Sequence, residues 1–347
     1  MSVLKILLTV LVGLWLGQAV GLGQVAALRH GYNGRELWRW PVDSLGATDR
    51  PAKLHLGNPF INELHGRNWQ LGSDDQRAEL AIPLSYSGQT QRLAATVMLL
   101  GAANWLVYHQ FNQAWWVEER SRFHLYKGYR RTVGFYDMSP ADSYYYHLDK
   151  AGHFYSAIFL SESFFAIGKW IGYSDTGARW LAAGLASLLM LEIEIYDGYF
   201  KEWGFSVGDF IANEMGVWWA LRLQHLPPLQ GIRFKMSYDS SLPLEDEYWI
   251  KNYSAMTFWA SLPVPRWLPA PLKHVWPSWL NLAFGYSTDR LRHGHLQSYL
   301  ALDISPDILP KSKSPLLLLP RLLLTYVHLP LPAVQLSPSP RFRPTQY

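Results

Sequence analysis

Three apolar segments in the middle of this chain carry ionisable residues at helical spacing, and no other feature constrains the fold as much. In "YYYHLDKAGHFYSAIFL", residues 144–160, Asp149 and His153 stand four apart on one face with Lys150 beside them. Glu194 and Asp197 stand three apart near the end of a second segment, and Asp209 and Asn213 four apart at the start of a third. Burying an unpaired charge is expensive, so the three faces are expected to meet and share their charges in one pocket. That pocket would hold four carboxylates against one Lys and one His. Either part of it faces water or a cation joins it.

Each piece also has a local explanation. Ser206 stands three residues before Asp209, which makes "SVGD" close to a capping box. Asp149 would favour a helix amino terminus, and Glu194 could pair with Lys150 as a structural ion pair. Ser156 and Ser161 have no GxSxG surroundings, and there is no HExxH zinc motif, P-loop or dinucleotide-binding glycine signature.

The elements around the motifs follow from periodicity and caps. The spacing predicts helices over 93–117, 144–170, 178–199 and 207–223, the first about 37 Å long and able to cross a bilayer. "SPAD" at 139–142 reads as a helix start, and Gly172 as a helix end. Beyond Pro228 the pattern shortens to strands in "GIRFKMSY", "SAMTFWASL", "LNLAFGYS" and "SYLALDIS". "PLLLLPRLLLTYVHL" reads as a membrane-surface element broken at Pro320, and "SPSPRFRPTQY" as a disordered tail. Residues 28–90 read as an irregular segment with one strand at 79–86.

Composition narrows the setting. Charged residues are only 17% of the 347, with 17 Trp, 20 Tyr and 15 Phe, an aromatic excess suited to a membrane boundary. The mean hydropathy of −0.06 leaves room for a substantial polar part. Membrane lipid is therefore the expected partner, and no basic run points to nucleic acid. Residues 1–27 carry Lys5, an apolar run and small residues, which reads as a signal peptide with cleavage near "VAA" at 25–27, or as an uncleaved anchor. There is no cysteine, hence no disulfide, thiolate nucleophile or lipobox.

The motifs "DKAGHFYSAIFLSE" and "EIYDGYFKEWGFSVGDFIANEMG" resemble the uncharacterised bacterial envelope family labelled predicted periplasmic lipoprotein, in its YfiM-like form. The matching positions are Asp149, Lys150, His153, Phe154, Glu194, Asp197, Gly198, Trp203, Gly204, Phe205, Ser206, Asp209, Ala212, Asn213 and Gly216. "NQAWW" and "FH" before the block, with "NYSAMTFWASL" and "WLNLAFGYSTD" after it, extend the likeness. A more distant likeness is to VanZ-like membrane proteins. The resemblance implies a bacterial cell-envelope location, membrane-associated and facing the periplasm, and implies no reaction.

The expected fold is α+β, mainly α: a membrane-associated bundle of three to four apolar helices (91–226), then a strand-rich region (227–335) and a disordered tail (336–347). The candidate polar site is Asp149, Lys150, His153, Glu194, Asp197, Ser206, Asp209 and Asn213. Two functions are carried forward. In one, the cluster is structural or ligand-binding in a non-enzymatic envelope protein. In the other, His153, Glu194, Asp197 and Asp209 hold a divalent metal ion for a hydrolase or transferase acting on a lipid or cell-wall substrate.

Overall fold

The computed structural model describes residues 86–126, 144–242, 252–288, 295–310 and 314–346. The signal or anchor segment, the 79–85 strand positions and the "SPAD" helix start lie outside the described residues. Helix α1, Tyr86–Ala114, begins seven residues earlier than expected, so 86–90 are helical rather than irregular. Arg92 holds that extra turn in place, donating to the Trp170 carbonyl at 2.6 Å and lying over the Trp170 ring. The helix closes when the amides of Trp115 and Trp116 both turn onto the Phe111 carbonyl.

Helix α2, Leu148–Ile171, ends at Gly172, whose φ of 109° only glycine adopts readily; its amide returns to the Gly168 and Lys169 carbonyls. A 3-10 turn, Tyr144–His147, leads into it with left-handed φ at Tyr146 and His147. Helix α3, Asp175–Asp197, starts three residues before the expected position because Ser174 is the N-cap, accepting from the Gly177 amide. Helix α4, Val207–Leu221, starts where Ser206 accepts from the Asp209 amide at 2.9 Å.

These three helices pack through small residues. Along α3 every fourth residue is buried, Ala178, Ala182, Ala186, Met190 and Glu194, so the seam that packs the core carries a carboxylate at its end. In α4, Asp209 and Asn213 head a buried stripe that continues through Gly216, Val217 and Ala220. A methyl group on Gly216 would run into the Phe154 carbonyl oxygen and lie 2.7 Å from the Ala157 Cβ. The glycine is what lets α4 reach the α2 backbone. The core formed by Ala157, Ile158, Phe164, Met190 and Val217 thus excludes water directly beside the charged stripe.

The carboxy-terminal half is a six-stranded antiparallel meander in sequence order: β1 Arg233–Tyr238, β2 Met256–Leu262, β3 Leu280–Thr288, β4 Leu296–Ile304, β5 Leu331–Ser337 and β6 Arg341–Gln346. One face of its first strands sits on α2, where Phe234 meets Phe154 edge-on at 4.8 Å and Tyr155 packs against Phe258. The sheet also curls. Lys235 on β1 and Asp303 on β4 are three strands apart, about 14 Å in a flat sheet, yet Nζ and Oδ2 lie 2.7 Å apart. Trp259 lies over Gly285 inside that curl, because a Cβ there would strike its ring, and stacks on His328 at 3.9 Å.

Three expectations are corrected. No helix of the described residues is long and apolar enough to cross a membrane, so the membrane-spanning bundle is unsupported; α1 has length, but polar residues such as His109, Gln110, Asn112 and Gln113 interrupt its second half. The tail expected to be disordered pairs as β6 against β5, with Phe342 opposite Val334. The segment expected to break at Pro320 is one helix, α5, Pro315–Tyr326, running through that proline. The architecture is accordingly mixed helix and sheet.

Candidate functional site

The three motif faces meet at one end of the helical core. Lys150 Nζ lies between Asp149 Oδ2 at 3.2 Å and Asp209 Oδ1 at 3.1 Å, joining α2 to α4. Asn213 bridges α2 and α3: its Oδ1 is 3.1 Å from His153 Nδ1, and its Nδ2 donates to Glu194 Oε1 at 3.3 Å. His153 Nδ1 is also 3.3 Å from Glu194 Oε1. Ser206 contributes the cap on Asp209. Asp197 belongs to a neighbouring layer, where Trp116 Nε1 donates to its Oδ1 at 2.7 Å. Its backbone carbonyl takes the amides of Phe200 and Gly204, which fixes the "DG" turn that leads to α4.

Burial and charge set the protonation states. Burial pushes the Asp149 and Asp197 carboxyls up to about 6, with the Asp209 charge adding to both. Burial also raises Glu194 well above its ordinary range, the nearby His153 only partly opposing it. Burial would lower His153, but Asp209, Glu194 and Asp149 outweigh it and hold the imidazole at about 9. Asp209 is pulled below its ordinary value despite burial, because His153 and Lys150 both face it. At neutral pH His153 therefore stands as a cation beside Lys150 among these carboxylates.

A metal could be held by three of these side chains. One ligand atom each from His153, Glu194 and Asp209 fall within 4.8 Å of one another. That spacing suits a divalent cation bound at roughly 2.0–2.6 Å from each donor. Asp197, the fourth expected ligand, is outside this set and is engaged by Trp116. Glu194, expected as a structural partner for Lys150, bonds Asn213 and His153 instead.

Other residues support the site without standing out in its motifs. Phe123 lies against Gly198, where any Cβ would meet its ring, and the His124 carbonyl accepts from the Phe205 amide. The "FH" and "NQAWW" segments therefore clamp the turn after Asp197. Tyr286 on β3 donates to the Tyr146 carbonyl, tying the sheet to the entry of α2. A second buried network lies inside the sheet: Lys235 with Asp303, Ser261 donating to Asp303 Oδ2 at 2.5 Å, and Asn281 donating to Ser261 at 3.0 Å. Lys235 and Asp303 stand at alternating inward positions of separate strands, and only the curl brings them together.

No curated protein and no solved structure matches the chain. A family model described as predicted periplasmic lipoprotein (DUF2279) matches residues 140–224, the stretch holding all three motif helices, and supports a membrane-associated envelope location facing the periplasm.

Proposed function

We propose that this is a non-enzymatic envelope protein whose helical core is locked by the charge cluster, so that a rigid body is presented at the membrane. The observation that carries this reading is that every carboxylate of the cluster has a partner within the protein. Lys150 takes Asp149 and Asp209, Asn213 and His153 take Glu194, and Trp116 takes Asp197. The two clefts described below are lined by other residues, so neither offers a substrate chamber at the charges. The YfiM-like and, more distantly, VanZ-like order of the motifs is in keeping with this envelope role.

The second reading is a metal-assisted hydrolase or transferase acting on a lipid or cell-wall substrate. The clustering of His153, Glu194 and Asp209 donors favours it. A bound divalent ion would supply Lewis-acid activation there, and Lys150 would steady negative charge nearby. Metal analysis of the purified chain separates the two. The locked-core reading expects far less than one equivalent of metal and a melt unmoved by EDTA. Near-stoichiometric metal with an EDTA-sensitive melt would overturn it in favour of the enzyme.

A further inference from the structure

We infer that the outer face of the curled sheet over β3–β6, beyond the strands that α2 covers and bare among the described residues, is the surface that contacts membrane acyl chains. The inference rests on the membrane-associated location above and names where the contact is made.

The sheet is inside out by the standard of water-exposed antiparallel sheets, which turn apolar residues to the core and polar ones to solvent. Around a small apolar cluster of Trp259, Tyr299 and three alanines, its inward positions carry Lys235, Ser261, Asn281, Asp303 and Gln335, all buried. Its outward positions form apolar rows that run across the strands. Register aligns Phe234, Ala260, Phe284, Leu300, Val334 and Phe342 in one row, whose β1 end α2 covers at Phe234, and Leu262, Leu282 and Leu302 in the next. Phe284, Leu300, Val334 and Phe342 are 45%, 42%, 41% and 65% exposed. Polar inside and apolar outside is the pattern of strands that face lipid. Strands β3 and β4, at nine residues each, are about 30 Å long, matching the hydrocarbon thickness.

The apolar surface also continues beyond the sheet. A cleft of about 180 Å³ between α2 and the sheet is lined by Phe154, Phe234 and Phe284. A second, of about 590 Å³, shares Phe154 and Phe234 and opens along Ile211, Met215 and Trp218 of α4. A protein-binding patch of this extent carries polar groups that set register. The two sheet rows carry none, which is why lipid rather than a protein partner is the occupant.

The absence of cysteine gives a clean test. Leu300→Cys, Val334→Cys and, as a water-facing reference, Lys201→Cys in the full chain are each labelled with a nitroxide. Collision with oxygen and with a water-soluble nickel chelate is read with phosphatidylethanolamine–phosphatidylglycerol vesicles. At 300 and 334 the inference expects nickel collisions to be lost and oxygen collisions to rise, with position 201 unchanged. In flotation, L300K and V334K should each lower vesicle partitioning by about thirtyfold for a charge seated in hydrocarbon, with the melt unchanged. Nickel access at 300 and 334 equal to that at 201, on a chain that floats, would overturn the inference and leave the location standing. Closure to both reagents even without vesicles would overturn it too, showing a cover of protein, either residues 1–85 or a second copy. Failure of the whole chain to float would count against the location itself.

Discussion

Replacing His153 with Gln should flatten the pH dependence of stability between pH 6.5 and 9. The imidazole sits among Asp209, Glu194 and Asp149, which hold it at about 9 against an ordinary 6.5. A raised folded value means that the native state binds more protons than the unfolded chain between those two pH values. The stabilisation is therefore complete below pH 6.5 and is lost as pH rises through 9. The gap of about 2.5 units corresponds to about 3 kcal/mol at 1.36 kcal/mol per unit. This is an upper figure, because the side chain is 19% exposed. At about 2 °C per kcal/mol the wild type should melt roughly 6 °C lower at pH 9.5 than at pH 6.5. Asp149 and Asp197, raised from 3.8 to about 6, act in the same direction but only between those lower values; Glu194, also raised by burial, acts in the same direction, and its share of the slope stays in the variant. Near-UV circular dichroism melts on chelator-treated protein follow the change through the many tryptophans. A wild type that melts equally at both pH values, or a His153→Gln variant that keeps the wild-type slope, would refute the reasoning.

Gly216→Val should destabilise by about 1–3 kcal/mol, because α4 would be pushed off the Phe154 carbonyl and Ala157; urea unfolding measures it. Trp116→Phe leaves the buried Asp197 Oδ1 without its indole donor and should cost about 1–3 kcal/mol. The same change should raise the Asp197 carboxyl further above 6, visible in carbon-detected NMR titration. Lys150→Met strands Asp149 and Asp209 and should cost about 3–5 kcal/mol at pH 8. Less should be lost at pH 5, where Asp149 can take up a proton.

The helical half was legible because its signals are local. Ser206 and Gly172 mark real ends, and the charged residues lie on the apolar stripes that bury them. Helix α3 shows the limit: its start moved to Asp175 because Ser174 caps it, a residue that an apolar pattern beginning at Ala178 hides. Asp197 sits at helical spacing from Glu194, yet its partner is Trp116, 81 residues away and invisible to periodicity. In the sheet, the four expected strands all form, but β5 and β6 were concealed by the Pro-rich sequence around 338–344. The curl that joins Lys235 to Asp303 depends on four strands at once, so no single segment records it.

The central claim is that residues from separate motif helices form one self-sufficient charge network. A double-mutant cycle between Lys150 on α2 and Asp209 on α4, with Lys150→Met and Asp209→Asn in metal-free protein, measures it most directly. The 3.1 Å pair predicts a coupling of about 2 kcal/mol or more, with the double variant more stable than the sum of the single losses implies. Additivity to within about 0.5 kcal/mol would show that the two side chains do not share a network and would contradict the account.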